Sequence, residues 1–150
     1  MAISVEHSVT AACTPQHAWK AFNNLERWPG WNPVVAEARW LEGAPWQAGS
    51  RFRLELARPA NLTLEPVITE AAPPHRIAWD GSGPLLSGRN EFTFQAQPDG
   101  ATLLRVTGEF SGFGTMFWGD RLQRAVTEMF AEWLDALKAE AEKTASSPAP

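Results

Sequence analysis

Residues 115–143 read TMFWGDRLQRAVTEMFAEWLDALKAEAEK, with no proline and with Gly119 as the lone glycine. At 100° per residue, Trp118, Leu122, Ala125, Val126, Met129, Phe130, Trp133, Leu134 and Leu137 fall on one half of a helical wheel. Asp120, Arg124, Glu128, Glu132 and Asp135 fall on the other. The spacing predicts one long amphipathic helix, roughly 40 Å from end to end at 1.5 Å per residue. Phe117 projects onto the polar half, which places it either before the helix or at the mouth of a pocket.

Upstream the period changes. Residues 2–10 alternate, with Ile3, Val5, His7 and Val9 on one face, as in a half-buried strand. Thr14-Pro15 then reads as an N-cap followed by proline in the first helical turn. The short helix it opens turns Ala18, Trp19 and Phe22 inward, and a second helical turn over Leu25–Trp28 stops at Pro29-Gly30. Between Val34 and Phe110 come strand-like runs at 34–41, 50–57, 62–70, 76–80, 85–97 and 101–110. Turn signals such as Pro73-Pro74, Gly81-Ser82-Gly83 and Pro98-Asp99-Gly100 separate them. Phe52, Leu54 and Leu56 share a face, as do Ile77 and Trp79, Phe92 and Phe94, and Leu104 and Val106. Alternation of this kind belongs to an antiparallel sheet with one wet side. Its apolar side needs a cover, and only the last helix is long enough. The fold class is therefore α+β, with the helices gathered on one side of the sheet. One domain is expected over residues 1–143, followed by a frayed tail over 144–150.

Composition narrows the function. The chain has 150 residues, 44% of them apolar and 20% charged, which excludes wholesale disorder. Thirteen basic against seventeen acidic residues leave a net charge of −4, which argues against nucleic acid or an anionic membrane as partner. One cysteine, Cys13, excludes an internal disulfide and a multi-cysteine zinc site, and its thiol is expected to be inert. No apolar run is long enough to span a bilayer, so a soluble cytoplasmic protein is expected. Eight Trp and eight Phe accompany no Tyr, so any chemistry here lacks a phenol acid, while large rings are plentiful for a core or an apolar cavity.

The pattern resembles the START/birch-pollen-allergen-like (SRPBCC) superfamily, and within it the polyketide cyclase/dehydrase and lipid-transport-like proteins. The residues that carry the resemblance are Thr14-Pro15 with Ala18-Trp19, the segment Trp28-Pro29-Gly30-Trp31-Asn32-Pro33, and Gly49 ahead of Phe52. Further along are Glu70 with Pro73-Pro74 before Ile77 and Trp79, the Asn90-x-Phe92-x-Phe94 run, Asp99-Gly100-x-Thr102, and Phe110-Ser111-Gly112 before the last helix. The resemblance implies a helix-grip fold. A curved seven-stranded antiparallel sheet would wrap a long C-terminal helix, with two short helices after strand 1 and an apolar cavity between sheet and helix. It implies binding of a small hydrophobic or aromatic ligand. It leaves open a cyclase, dehydratase or aromatase acting on a polyketide-like substrate, and a co-chaperone-like interaction module. Self-association as a homodimer is also left open.

The expected ligand-binding residues are His7, Phe52, Leu54, Trp79, Asn90, Phe92, Val106 and Phe110 from the sheet, and Trp118, Leu122, Ala125 and Met129 from the helix. His7 is a polar oddity on an apolar face: either a general base or ligand hydrogen-bonder, or a structural strand histidine. Asn90 would orient a polar ligand group or complete a core network. Glu109, beside Gly108, would be a catalytic carboxylate if a bulge turned it inward, and a solvated outer-face group otherwise. Arg89 and Asp80 are expected to pair on the outer face. Gly112-Phe113-Gly114 reads as a hinge or turn, not a phosphate loop. No cofactor is implied, and His7, His17 and His75 lack metal-ligand spacing.

Overall fold

A computed structural model describes residues 3–58, 61–82 and 87–146, with side chains described for all of these except 82, 113–118 and 146. Strand β1 (Ile3–Ala11) leads into helix α1 (Pro15–Phe22). The Thr14 side chain accepts the backbone N–H of His17, and Pro15 sits where its missing N–H costs nothing. A single tight turn over Leu25–Arg27 and the one-turn helix α2 (Trp28–Trp31) return the chain to the sheet. The strands β2 (Val35–Glu42), β3 (Arg51–Leu56), β4 (Leu62–Leu64), β5 (Val67–Ala72), β6 (Arg76–Ser82), β7 (Ser87–Ala96) and β8 (Thr102–Ser111) follow, then helix α3 (Phe113–Ser146).

All the strand pairs are antiparallel, in the order β1-β8-β7-β6-β5-β3-β2, with β4 beside β3. The expected seven-stranded sheet thus has eight segments, because the run expected over 62–70 breaks at Glu65-Pro66. Proline cannot donate to a ladder. Its carbonyl still accepts from Phe52 N–H at 3.0 Å, so the two pieces lie along one partner strand. Register shifts within β2 and between Ile68 and Glu70 of β5 mark bulges. Bulges add twist and bend, and the sheet curls around α3.

Helix α3 packs on the inner face of β1 and β8 and on α1. Gly112, at φ 122°, makes the reversal from β8 into α3, a conformation that a side chain resists. At the far end Glu142 accepts Ala12 N–H at 2.7 Å, which fixes the helix to the end of β1. The helix runs past the expected boundary at Lys143 to Ser146, with the Thr144 hydroxyl donating back to Glu140 O at 3.0 Å.

The inner face is carried by alternate residues, as expected: Ile3 and Val5, Phe52 and Leu54, Ile77 and Trp79, Phe92 and Phe94, Leu104 and Val106 are all buried. The outer face carries an ion network. Arg76 bridges Glu70 and Glu91 at 2.6 Å, and Arg89 reaches Glu70 at 3.0 Å and Asp80 at 3.6 Å. Beneath it Ala78 is fully buried although it faces away from the core. Such half-exposed pairs contribute little each.

Gly108 is required by packing. A Cβ there would lie 2.8 Å from both Phe110 and Phe130, so the bare strand lets two rings settle onto the sheet. Gly108→Ala is expected to destabilise by about 1–3 kcal/mol through overpacking. Gly30→Ala, with nothing within 4 Å of the added carbon, is expected to be close to neutral. Urea midpoints measure both, and equal midpoints would contradict the packing assignment. A second expectation concerns Cys13. Burial, and then the charge of Glu142, push its thiol above the ordinary value. Its reaction with an aromatic disulfide at pH 8 should be about tenfold or more slower than in the urea-unfolded chain. Glu142→Gln should lower the thiol pKa and speed the folded reaction; no acceleration would reject Glu142 as a cause.

Candidate functional site

The space between the curled sheet and α3 is divided. One part is filled by rings. Phe22 of α1 touches Trp28, Trp46, Phe92 and Phe94 at centroid distances of 5.0–5.5 Å. Trp28 meets Trp133 of α3 edge-on at 5.2 Å, and Trp79 lies 5.1 Å from Phe92 and 5.3 Å from Phe52. Two hydrogen bonds fix this wedge. The last turn of a helix leaves carbonyls without partners. At the end of α1, Phe22 O accepts the Trp28 indole N–H at 2.7 Å, and Asn23 O accepts the Trp46 indole N–H at 2.6 Å. Trp46 holds this position at φ 56°, a strained conformation for a bulky residue.

The other part is a cavity of about 100 Å³. Its buried walls are Leu54, Leu56, Pro66, Trp79, Phe92, Phe110, Val126, Met129, Phe130 and Trp133. Leu62, Leu64, Gly81, Gly88 and Leu122 line the part that reaches solvent. The opening therefore lies beside β4, Gly81 of β6, Gly88 of β7 and Leu122 of α3. Asn90 is half-buried in the wall. A hundred cubic ångströms is below the roughly 300–1,000 Å³ of sites for drug-sized ligands. It is of the order of the ~150 Å³ apolar cavity known to admit a single benzene ring.

Two of the lining residues each carry a buried polar atom with no partner. The indole Nε1 of Trp133 and the side-chain Oδ1 of Asn90 are both buried and make no hydrogen bond. Among the described residues that line the cavity, none has a titratable side chain. Nor do three His, Cys, Asp or Glu residues stand together as a metal site among the described residues.

The structure brings Leu54, Trp79, Asn90, Phe92, Phe110, Leu122 and Met129 together around this cavity. The others lie elsewhere. Phe52 is buried in the ring wedge, between Trp28, Trp40 and Trp79. Val106 is fully buried and pairs with His7 across β1 and β8, away from the cavity lining. His7 is half-buried between Val5 and Val9. Ala125, also half-buried, is rotated one position off the lining stripe Leu122, Val126, Met129 and Trp133. The side chains of Trp118 and Phe117 lie outside those described. Glu109 is exposed and pairs with Ser4 and Arg89 across the ladder, on the outer face. Successive strand side chains alternate in direction, so β8 sends Val106 and Glu109 to opposite sides. His7, opposite Val106, and Glu109 therefore cannot serve one reacting centre.

Val126, Phe130 and Trp133 were on the apolar arc of the sequence, and their i+4, i+8 and i+11 spacing from Leu122 was the available signal. Leu62 and Leu64 showed the alternation of an edge strand, while Pro66 and Gly88 carried no signal for a lining role. Two larger hollows, of about 400 and 620 Å³, are open troughs on the outer face. Their mixed charges centre on Arg89, which is already engaged by Glu70 and Thr69.

Known proteins share this fold. The Zhui aromatase/cyclase from Streptomyces sp. R1128 superposes with a TM-score of 0.79 at 20% identity, over 95% of each chain. Ara h 8.0201 does so at 0.77 and 15% identity, over 95% of this chain and 99% of that one. A START superfamily protein from Mycobacterium smegmatis gives 0.68 and 18%, over 95% and 96%. At such identities the likeness establishes the helix-grip fold. No curated protein matches the chain. The family described as polyketide cyclase/dehydrase and lipid transport matches residues 2–142, and the chain belongs to that family.

Proposed function

We propose that this protein binds a small, uncharged, largely apolar molecule between the sheet and α3 and performs no chemistry on it. The observation that carries this reading is the cavity wall. Aliphatic and aromatic side chains make up nearly all of it, and the described residues there offer no acid or base. Enclosing a ring in such a site gains about 25 cal/mol for each Å² of apolar surface removed from water. A cyclase or aromatase must move protons at the bound substrate, and it needs a group of matched pKa within hydrogen-bond reach. The two titratable candidates are elsewhere: Glu109 on the outer face, His7 away from the lining. An interaction module would need a broad exposed apolar patch. The exposed large apolar side chains among the described residues are Leu41, Leu62 and Val67, and Leu62 belongs to the cavity rim.

Toluene is the test ligand. Titration should shift the methyl resonances of Met129 and Leu122 along saturable curves while leaving those of Leu41 in place. It should also raise the melting temperature, as a ligand of the native state must. Val126→Phe should fill the space, leave the melting temperature of the free protein within a few degrees of wild type, and remove both responses. Methyl shifts that stay linear and spread over the whole surface would reject the site.

A further inference from the structure

We infer that Gly81 selects the ligand by width: with no side chain there, a slender apolar tail can leave through the opening while the bulkier end stays in the cavity. This inference rests on the binding reading above and adds the shape of the ligand to it. Glycine weakens the interior of a strand, and where it stands it often marks a bulge, a bend, or the close approach of another backbone or a ligand. Two strand glycines are accounted for within the protein. A Cβ on Gly88 would lie 2.5 Å from the ring of Phe110, and one on Gly108 would lie 2.8 Å from both Phe110 and Phe130. Gly81 has no such neighbour. The nearest atom to a Cβ there, among the described residues, is the Cγ of Pro66 at 3.8 Å, an ordinary contact. Gly81 is not among the glycines at positive φ, so its backbone would accept a side chain. The ladder between β6 and β7 runs from Arg76↔Thr93 to Ser82↔Ser87 without a register shift, so no bulge falls on Gly81.

The missing side chain belongs to the cavity side of the sheet. Strand residues alternate in direction, Ile77 and Trp79 are buried on the inner face, and Gly81 continues their series. Pro66, which a Cβ on Gly81 would touch, and Gly88, its cross-strand partner, both line the cavity with it. The other residues of the solvent-reaching part are Leu62, Leu64 and Leu122. Leu62 is 40% exposed, so apolar surface is left in water at this opening. The described side chains there carry no charge and no hydroxyl, and only an apolar group gains by lying against them. The volume sets the rest of the shape. About 100 Å³ encloses one ring or a short branched group, and any further length has to pass over Gly81. The ligand class is therefore a single ring, or a group of similar bulk, that carries an unbranched apolar tail.

The experiment uses toluene, n-butylbenzene and tert-butylbenzene. The last two are isomers, one with a slender tail and one with a wide group. Dissociation constants are measured on the wild type, on Gly81→Ala and on Gly81→Val. A fully buried methylene is worth about fourfold in affinity, and one covered on one side about twofold, so n-butylbenzene should bind the wild type about eightfold more tightly than toluene. The branched isomer should gain nothing over toluene. Gly81→Val should keep toluene affinity within about threefold and cut the n-butyl gain to about twofold or less, with Gly81→Ala in between. Comparing gains between proteins cancels the hydration of the free ligands. On the wild type, n-butylbenzene should shift the Leu62 methyl resonances more than toluene does, a measurement that needs no variant to fold. Gly81→Ala should melt at or above the wild-type temperature, because a compatible side chain restricts the unfolded chain. A fall of more than about 4 °C would show that the fold itself needs this glycine and would overturn the inference. If toluene binds but the n-butyl gain is absent, or is the same in all three proteins, the role of Gly81 is overturned and the apolar site stands. If neither compound binds at the Met129 methyl, the site itself is overturned, and this assignment with it.

Discussion

A sheet that bends cannot touch a straight helix along its whole length, and the interior of this protein is the consequence of that mismatch. Bulges in β2 and β5 curl the sheet, while α3 runs unbroken from Phe113 to Ser146. Into part of that gap the chain places the rings of Phe22, Trp28, Trp79, Phe92 and Trp133. Rings fill space efficiently but pack at fixed tilts. The wedge therefore needs an anchor, and it finds one in the unpaired carbonyls that end α1. Two indoles bond to those carbonyls, so the short helix and the ring cluster hold each other in register. The wedge stops short of the β4 side, and the cavity begins where it stops.

This division explains why so much of the fold was legible in sequence and less of the site. Periodicity reports which way a residue faces. It placed Leu54, Trp79, Phe92 and Met129 inward because alternation and helical spacing depend on local geometry alone. It gave the same answer for Phe52 and Val106, which face inward and meet other side chains instead of the cavity. Whether an inward residue touches a neighbour or empty space depends on the curvature of the sheet. Curvature is set by bulges and by long-range pairing that no local pattern records. The split at Pro66 is an intermediate case. The proline was visible, but its effect depended on which partner strand ran beside it. Trp133 is the reverse case. Its position on the apolar stripe was plain, while its unpaired N–H is a property of everything around it.

The sheet separates two electrostatic environments. On the outer face Arg76, Arg89, Glu70, Asp80 and Glu91 are interlinked and open to water, where screening keeps each pair weak. They shield Ala78, and Arg89, the cation that lines both troughs, is already engaged by Glu70 and Asp80. On the inner face an unmatched polar atom is far more consequential, because the surroundings cannot screen it.

The size of the chamber then sets how the two halves of the site share the work. A cavity of a few hundred Å³ would let area alone dominate affinity, and many apolar molecules would compete equally. In about 100 Å³ only a ring or its equivalent is enclosed, so burial supplies a limited and nonspecific part of the binding. Discrimination must come from what the walls exclude or leave unsatisfied. Trp133, on a helix and 2% exposed, and Asn90, on a strand paired on both sides, each carry a buried polar atom without a partner. Both sit on rigid elements, which is where a polar contact keeps its geometry without further ordering. The ring wedge that reduces the cavity also fixes its wall: Trp133 packs edge-on against Trp28 and tilted against Phe92.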